Sequence, residues 1–303
     1  MHCIFIYNPV SGKGKIAKKL DYIVNGLKEK FEEVAVYATK GIGDMARAAN
    51  DAIGKYDAIV FAGGDGSFNE ILQAVAKAEN PPLLGYIPSG TAYDIGHTLK
   101  IPKSVKKALK IIKDGRSEKL DCMKVNDQYA MYVVCAGAFV SATYSTSQKL
   151  KNKSGKLAYF IHGAKNNLHF DIFDVDCKNG TIAAHTNSVL ILFINSRYVA
   201  SFKVNKKASL TDGKIEVAII QQTEKPNFFQ KVGALFAVAK LFLFGYNLKS
   251  KRITRLEGSQ FDVKVSDTLT WNFDGEKGSS GNVHIEVVPQ KVNMIVPKKL
   301  KKI

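Results

Sequence analysis

The sequence lacks several features that define common protein classes. Its 303 residues include only four cysteines, Cys3, Cys122, Cys135 and Cys177, which lie far apart and form no CxxC pair. Neither a disulfide framework nor a zinc site is therefore expected, and the thiols are predicted to be buried and reduced. No charged and then apolar leader precedes the first apolar run, so we expect a cytoplasmic protein.

A membrane-spanning run, an internal repeat and a low-complexity linker are also missing. The longest apolar stretch, residues 228–246, is interrupted by Gln230, Lys231 and Lys240. It is too short and too charged to span a bilayer. A packed helix is the default interpretation, and a helix that touches a membrane surface is the alternative.

Acidic residues are few beside basic ones, 27 against 44, which gives a formal net charge of +17. The lysines are densest at residues 100–113, 149–156 and 298–302. No RNA-binding aromatic motif or zinc-finger spacing accompanies them, so no nucleic-acid partner is expected. An anionic membrane surface attracts such patches by about 1 kcal/mol per nearby basic residue. A solvated lysine-rich surface is the alternative.

Length and an apolar content of 46% predict two closely joined domains. In residues 1–121, apolar runs alternate with helical patterns, which indicates a parallel sheet covered by helices on both faces, a three-layer α/β domain. The predicted strands are 3–8, 33–38, 57–62 and 83–87, and the predicted helices are 15–30, 43–54, 67–78 and 103–113.

Residues 122–290 change to short alternating or apolar runs, which are typical of an antiparallel β-sandwich. These runs lie at 129–136, 171–177, 181–193, 214–220, 252–265 and 284–288. Helical inserts are predicted near 154–168 and 226–246. A C-terminal segment, residues 291–303, is expected to return to the first domain.

A glycine-rich turn follows the third predicted strand. Gly63, Gly64 and Gly66 allow positive φ and the close approach of an anion, and a helix N-terminus adds positive potential. Asp65 lies between them, and a carboxylate there makes sense if it holds Mg²⁺ through water or manages a proton. The alternative is a strand-to-helix turn that needs glycine only for its geometry.

Two further loops of this kind, residues 8–14 and 87–94, follow the first and fourth strands. The first lacks GxxxxGK[ST], which disfavours a P-loop NTPase. Its Lys13 can still meet a phosphate as a point charge, with backbone N–H groups of Ser11 and Gly12 donating to the same group. Because ligands of such sheets bind beyond the carboxyl ends of the strands, the three loops together predict a nucleotide site.

The segments NPVSGKG, GGDGSFNE and PSGTAYDIG, in this order and spacing, resemble the ATP-binding motifs of the diacylglycerol kinase catalytic-domain family. That family includes soluble bacterial lipid kinases and the sphingosine and ceramide kinases. NAD kinases, which share a GGDG loop, are similar at greater distance. The resemblance covers essentially the whole chain, including residues 120–121, 208–213 and 273–276. It implies an NAD kinase/diacylglycerol kinase-like α/β domain, then a C-terminal antiparallel β-sandwich domain, with ATP between them.

The resemblance also implies roles for individual residues. Asp274 would be the general base that accepts the lipid hydroxyl proton, and Asp65 would act in the magnesium and water network. The implied ATP contacts are Asn8, Pro9, Ser11, Gly12, Lys13, Thr39, Gly63, Gly64, Asp65, Gly66, Ser67, Asn69, Gly90 and Thr91. A structural magnesium is implied at Ser209, Asp212 and Lys214, with Glu276 and Asp121 in its shell through water. Without the resemblance, Asp274-Gly275 indicates a hairpin turn.

Two positions depart from the family pattern. Tyr93 stands where the family commonly has asparagine, and His97 stands where a basic residue is often found. Because histidine is charged only part of the time near neutral pH, either a weakened phosphate contact or an unusual acceptor is left open.

The sequence thus predicts a cytoplasmic, ATP- and Mg²⁺-dependent lipid kinase that docks peripherally on an anionic membrane surface, most simply a diacylglycerol kinase. A sphingoid-base or other lipid-alcohol kinase, an NAD kinase-like enzyme and a non-catalytic lipid- or nucleotide-binding regulator are the alternatives. A homodimer is left open.

Overall fold

The computed structural model describes residues 1–90, 93–138, 171–180 and 182–300. Three features singled out in the sequence lie outside these residues: Thr91, the lysine run at 149–156 and the helical insert predicted near 154–168.

A parallel four-stranded sheet forms the centre of the N-terminal domain. Its strands are β1 (His2–Tyr7), β2 (Glu33–Ala38), β3 (Ala58–Gly63) and β4 (Leu83–Pro88), in the order β4-β3-β1-β2. Strand β3 is buried along its whole length, as expected for an apolar strand in a parallel sheet covered on both faces. The predicted α/β architecture is confirmed.

Helices connect these strands. They are α1 (Leu20–Lys28), α2 (Asp44–Ala52), α3 (Asp65–Val75), α4 (Asp94–Thr98) and α5 (Val105–Asp114). Helix α5 buries an apolar stripe at helical spacing, made of Val105, Ala108, Leu109 and Ile112.

The prediction of one helix over 15–30 was wrong. Two 3-10 turns, Ser11–Gly14 and Ala17–Lys19, precede α1, so the α-helix begins only at Leu20. Positive φ at Gly12 and Gly14 explains the irregular start. Helix α3 begins two residues earlier than predicted, at Asp65. Helix α4 was not predicted, because five residues are too few for an apolar period to be visible.

The second domain is mostly antiparallel β-structure, as predicted. Its strands are β5 (Arg116–Val125), β6 (Gln128–Ala130), β7 (Val133–Gly137), β8 (Phe173–Asn179), β9 (Ile182–Ile194), β10 (Ile215–Gln221), β11 (Ile253–Gly258), β12 (Gln260–Lys264), β13 (Thr270–Phe273), β14 (Glu276–Ser280) and β15 (Val283–Val296). The run predicted over 252–265 is two strands. Phe193, Phe261 and Trp271 pack their rings together in the sandwich core.

In the described part of this domain, helix α6 (Phe228–Phe244) interrupts the strands and packs near β10. The insert predicted near 226–246 is therefore helical. No helix in the described part of the chain combines the length and apolar character needed to cross a membrane.

Two long strands, β5 and β15, run across the junction of the two domains. They pair from Ile285 with Val125 to Val296 with Arg116, and Met294 of β15 also pairs with Leu84 of β4. The two sheets are thus hydrogen-bonded into one path of strands. Because strands cross the junction, the relative position of the two domains is fixed by backbone hydrogen bonds.

Candidate active site

The ends of β1, β3 and β4 bring the three glycine-containing loops together. The N–H groups of Ser89 and Gly90 donate to the carbonyl oxygen of Gly63 at 2.8 and 3.3 Å. The hydroxyls of Ser11 and Ser89 lie 2.9 Å apart. Gly12 has a φ of 60°, and a Cβ there would lie 2.8 Å from the carbonyl oxygen of Ser89. Only glycine fits between these two loops without a shift.

Asp65 occupies the first turn of α3 and is 7% exposed. Its Oδ2 accepts the backbone N–H of Asp94 at 3.1 Å, whereas its Oδ1 is buried without a hydrogen-bond partner. Burial, and then the charge of Asp94, raises the pKa of Asp65 to about 7. An orphaned carboxylate oxygen beside a second carboxylate fits a bound divalent cation, which would bond the oxygen and offset the charge.

Asp94 was not among the predicted site residues. It is 2% exposed, and its Oδ1 accepts the backbone N–H of Ser201 at 2.7 Å. Ser201 and the preceding Ala200 both have positive φ, 68° and 50°. Asp94 therefore connects the third loop of the first domain with a turn of the second. The available signal was an acidic residue within PSGTAYDIG, after a phosphate-type loop.

The two departures from the family pattern lie together. The rings of Tyr93 and His97 have centroids 3.9 Å apart, and Lys103 Nζ lies 4.2 Å from the Tyr93 centroid. Burial lowers the pKa of the Lys103 ammonium, while the charges of Asp65 and Asp94 oppose that shift. Lys103 thus supplies a positive charge close to the position where a basic residue was expected at His97.

A cavity of about 280 Å³ opens beside these loops. Its lining includes Gly12 and Ser89 from two of the loops, together with Lys15, Lys19 and Lys103. Three lysines around a cavity bordered by glycine-loop backbone favour an anion, and the phosphates of a nucleotide have this chemistry. Lys15 and Lys19 were not singled out in the sequence, because lysines are spread through the whole chain, and Lys103 was noted only as part of the run at 100–113.

Asp274 and Gly275 form the two-residue turn between β13 and β14. Their φ values are 55° and 96°, as in the hairpin turns that favour Asp-Gly. The carboxylate is nevertheless 2% exposed. It accepts the backbone N–H groups of Met131, Tyr132 and Val133 at 2.5, 2.9 and 3.0 Å. A hairpin turn and a buried, oriented carboxylate therefore coexist at this position.

Opposing effects act on the pKa of Asp274. Burial raises it to about 6, although the three backbone donors and Asn69 lower it. Such a group is ionised at neutral pH and can accept a proton. The charge of Asp274 also contributes to the raised pKa of Asp65, so the two carboxylates share one electrostatic environment.

A hydrogen-bonded cluster, which we call the α3–β6 clasp, links Asp274 to the first domain through Asn69, Gln73 and Tyr129. Asn69 Nδ2 donates to Asp274 Oδ2 at 3.4 Å. Gln73 Nε2 donates to Asn69 Oδ1 at 3.3 Å and to the Tyr129 carbonyl at 2.6 Å, and Tyr129 N–H donates to Gln73 Oε1 at 3.0 Å. Gln73 was missed, although its i, i+4 spacing from Asn69 predicts that the two side chains meet.

The other predicted nucleotide residues also lie at this sheet edge. Asn8 Oδ1 accepts the N–H of Val10 at 3.0 Å, and Thr39 N–H donates to the Tyr7 carbonyl at 2.9 Å. Pro9 follows Asn8 directly, and Gly64 precedes the first turn of α3. A Cβ on Gly63 would collide with Ser67. Lys13 belongs to the first 3-10 turn, and Thr91 lies outside the described residues.

Two residues predicted for a structural magnesium, Asp121 and Asp212, meet at one loop. Asp121 accepts the N–H groups of Gly213 and Gln290, each at 2.8 Å, which joins it to the loop containing Ser209 and Asp212. Asp212 Oδ1 accepts the N–H of Lys214 at 3.2 Å. Burial raises the pKa of Asp212, and Asp121 adds to this shift.

Glu276 has other neighbours. A Cβ on Gly66 would lie 2.5 Å from Glu276 Oε1, so this side chain contacts the second glycine loop. Burial, and then the charge of Glu70, raises its pKa. Among the described residues, no three histidine, cysteine or acidic side chains form a group that could hold a metal ion. The five-residue metal set therefore stays a prediction.

Comparisons with known proteins agree with this architecture. Residues 2–125 match the family model of the diacylglycerol kinase catalytic domain, and residues 132–296 match the YegS C-terminal NAD kinase beta sandwich-like domain. The diacylglycerol kinase of Staphylococcus epidermidis is 30% identical over 295 residues, covering 97% of this chain and 91% of that protein. The diacylglycerol kinase of Bacillus subtilis is 28% identical over 296 residues, covering 97% and 95%.

A crystal structure of a diacylglycerol kinase from Bacillus anthracis superposes with a TM-score of 0.77 at 20% identity, covering 97% of this chain and 96% of that one. This match shows that the two chains share a fold.

Proposed function

The chain belongs to the diacylglycerol kinase catalytic-domain family and is a lipid kinase, and from this premise we propose that it phosphorylates diacylglycerol with ATP and Mg²⁺, giving phosphatidic acid. The observation that carries the proposal is the position of Asp274. This buried carboxylate comes from the second domain and lies in one electrostatic cluster with Asp65, at the glycine loops of the first.

Phosphoryl transfer needs positioned reactants, neutralised phosphate oxygens and a carboxylate for the nucleophile's proton. In the proposed reaction Asp274 accepts the proton of the lipid hydroxyl while the hydroxyl oxygen bonds to the γ-phosphorus of ATP. The bond from that phosphorus to the bridging oxygen breaks, and ADP leaves. Three backbone N–H groups hold Asp274 in one orientation, which reduces the rearrangement needed before proton transfer.

We assign the phosphates to the glycine loops and to the lysine-lined cavity beside them. Asp65, through its orphaned Oδ1, and Asp94 would hold Mg²⁺. When bound, the ion neutralises phosphate oxygens as transfer proceeds. Asn69 and the three glycine-containing loops would orient the nucleotide relative to Asp274.

The stack of Tyr93, His97 and Lys103 favours a second candidate, a sphingoid-base or other lipid-alcohol kinase. Tyr93 and His97 depart from the pattern common in the family, and a changed contact near the phosphates is compatible with a changed acceptor. An NAD kinase-like enzyme and a non-catalytic regulator remain outcomes of the test below.

The test measures transfer of radiolabelled γ-phosphate from ATP, with Mg²⁺, to diacylglycerol, monoacylglycerol, sphingosine, ceramide or NAD in mixed micelles. We expect label on diacylglycerol. For Asp274→Asn we expect a kcat lower by about 10²- to 10⁴-fold, with little change in ATP affinity. The matched control is Asp262→Asn, at an exposed carboxylate of the same domain, which should leave kcat unchanged.

Label on sphingosine or ceramide would show that diacylglycerol is not the acceptor, while the proposed role of Asp274 as general base would stand. Label on NAD, or ATP binding without any transfer, would overturn the proposal. Thermal unfolding of Asp274→Asn would separate loss of chemistry from loss of fold.

A further inference from the structure

Helix α6 presents an apolar face to solvent. Phe229, Phe236 and Leu243 are 81%, 63% and 46% exposed. They recur every seven residues, a spacing that returns to nearly the same side of a helix, with a drift of about 20° per repeat. Phe228 and Phe244 are also exposed, and every exposed phenylalanine among the described residues lies on this helix.

The opposite side of α6 is fixed to the protein. It buries four small or branched apolar residues, Ala234, Ala237, Val238 and Leu241. A capping box between Asn227 and Gln230 closes the N-terminus, and just beyond the C-terminus Tyr246 N–H donates to the Val204 carbonyl at 2.6 Å. The helix therefore holds its apolar face in a defined orientation.

The segment that contains α6 is basic. Residues 225–252 contain no aspartate or glutamate, whereas their basic residues are Lys225, Lys231, Lys240, Lys249, Lys251 and Arg252. Lys240 is exposed and lies eleven positions after Phe229, on the same side of the helix. This segment thus combines exposed aromatic rings with basic residues and no acidic ones.

We propose that this face of α6 docks on an anionic phospholipid surface, an inference that rests on the proposed function because a lipid kinase must meet its acceptor in a membrane. Because α6 is apolar nearly all round, one side can pack on the protein while the exposed side buries its rings in the plane of the interface. Lys240 extends its ammonium towards the lipid headgroups while its stem packs among the apolar chains. Helix α6 has 17 residues and is not a candidate span, in keeping with a helix that lies on the membrane.

The charge distribution favours a membrane over a second copy of the chain. Pairing two identical α6 faces would bring two sets of lysines together without an acidic residue from this segment to offset them, and like charges across an interface are costly. Anionic headgroups instead contribute about 1 kcal/mol per nearby basic residue.

Co-sedimentation with vesicles tests the docking. We expect the wild-type protein to bind phosphatidylcholine vesicles containing phosphatidylglycerol more strongly than phosphatidylcholine alone. The double variant Phe229→Ser/Phe236→Ser should bind the anionic vesicles at least about tenfold more weakly, because two rings no longer leave water. The matched control is Ile42→Ser, which removes a fully exposed apolar side chain from another surface and should bind like wild type.

A second variant probes insertion directly. Phe236→Trp should show fluorescence that brominated lipids quench, against a background from the single native tryptophan, Trp271, which is buried. Equal vesicle binding by the double variant and the wild type, or no quenching of Phe236→Trp, would overturn the docking.

Activity towards a short-chain, water-soluble diacylglycerol separates this inference from the proposed function. We expect the double variant to phosphorylate the soluble acceptor like wild type and to lose activity only on vesicle-embedded acceptor. Loss on both acceptors would place these residues in the reaction and contradict docking. A wild type that binds vesicles without phosphorylating any acceptor would contradict the kinase proposal alone. A wild-type dimer that the double variant converts to monomer, without vesicle binding, would assign the face to self-association.

Discussion

At the scale of single residues, Asp65 shows a conflict between fold stability and the binding of a cation. Burial raises its pKa from an ordinary value of 3.8 to about 7. Between these two values the folded state holds more protons than the unfolded state, so the free energy of unfolding falls as the pH rises. The ionised Asp65 should therefore destabilise the protein when no cation is bound.

We expect Asp65→Asn to unfold at a higher temperature than wild type at pH 8, and the difference to vanish below a pH of about 4. Its side-chain oxygen can still accept the N–H of Asp94. Thermal unfolding with EDTA and without nucleotide, repeated across this pH range, measures the effect. The exposed Asp127→Asn should show the pH dependence of wild type. If the variant is no more stable than wild type at pH 8, ionised Asp65 does not destabilise the protein and this explanation is wrong.

Gln73 offers a second test at this scale. Gln73→Leu removes the amide that orients Asn69 towards Asp274, so we expect kcat to fall about tenfold while the KM for ATP stays near that of wild type. Loss of the paired contacts with Tyr129 should also lower the free energy of unfolding by about 1–3 kcal/mol.

Gln73→Glu gives the matched comparison. It retains an acceptor for Tyr129 N–H but has no donor for Asn69 Oδ1, so kcat should fall in this variant as well. A drop in stability with unchanged kcat in both variants would limit Gln73 to holding α3 against β6.

At the scale of elements, the packing of the first glycine loop against the third depends on Gly12. Gly12→Ala would add a Cβ 2.8 Å from the Ser89 carbonyl and would strain a residue with a φ of 60°. We expect a higher KM for ATP and a loss of about 1–2 kcal/mol of stability. Steady-state kinetics and thermal unfolding measure the two effects.

Gly54→Ala is the matched control for this loop. Gly54 has a φ of 77°, and a Cβ there would meet nothing within 4 Å. It should lose similar stability without any change in the KM for ATP. Equal KM values in Gly12→Ala and wild type would show that contact between these loops is unimportant for ATP.

At the scale of the whole molecule, β5 and β15 should make the two domains unfold together. The C-terminal part of β15 completes the first sheet with buried side chains, namely Val292, Met294, Ile295 and Val296. The first domain cannot keep this strand if the second domain releases it. We therefore expect Trp271 fluorescence, which reports on the sandwich core, to change in the same thermal transition as the helical circular dichroism. Separate transitions would contradict this coupling.

The sequence by itself determined the features that depend on local chemistry. Alternating apolar runs and helical periods predicted the α/β domain, and the shift to short alternating runs predicted the sandwich. Glycines and polar residues directly after strands predicted the three loops around Gly12, Asp65 and Gly90. Each of these patterns is contained within a short segment, so its physical cause can be recognised before the chain folds.

Only the tertiary structure decided which distant residues meet. Asp274 and Asn69 come from different domains, and the side chain of Asn69 donates directly to the carboxylate of Asp274. Asp94 reaches the N–H of Ser201 in a turn of the second domain, and Glu276 contacts Gly66 of the second glycine loop. These contacts depend on how β5 and β15 place one sheet against the other, and no periodicity within a segment encodes that arrangement.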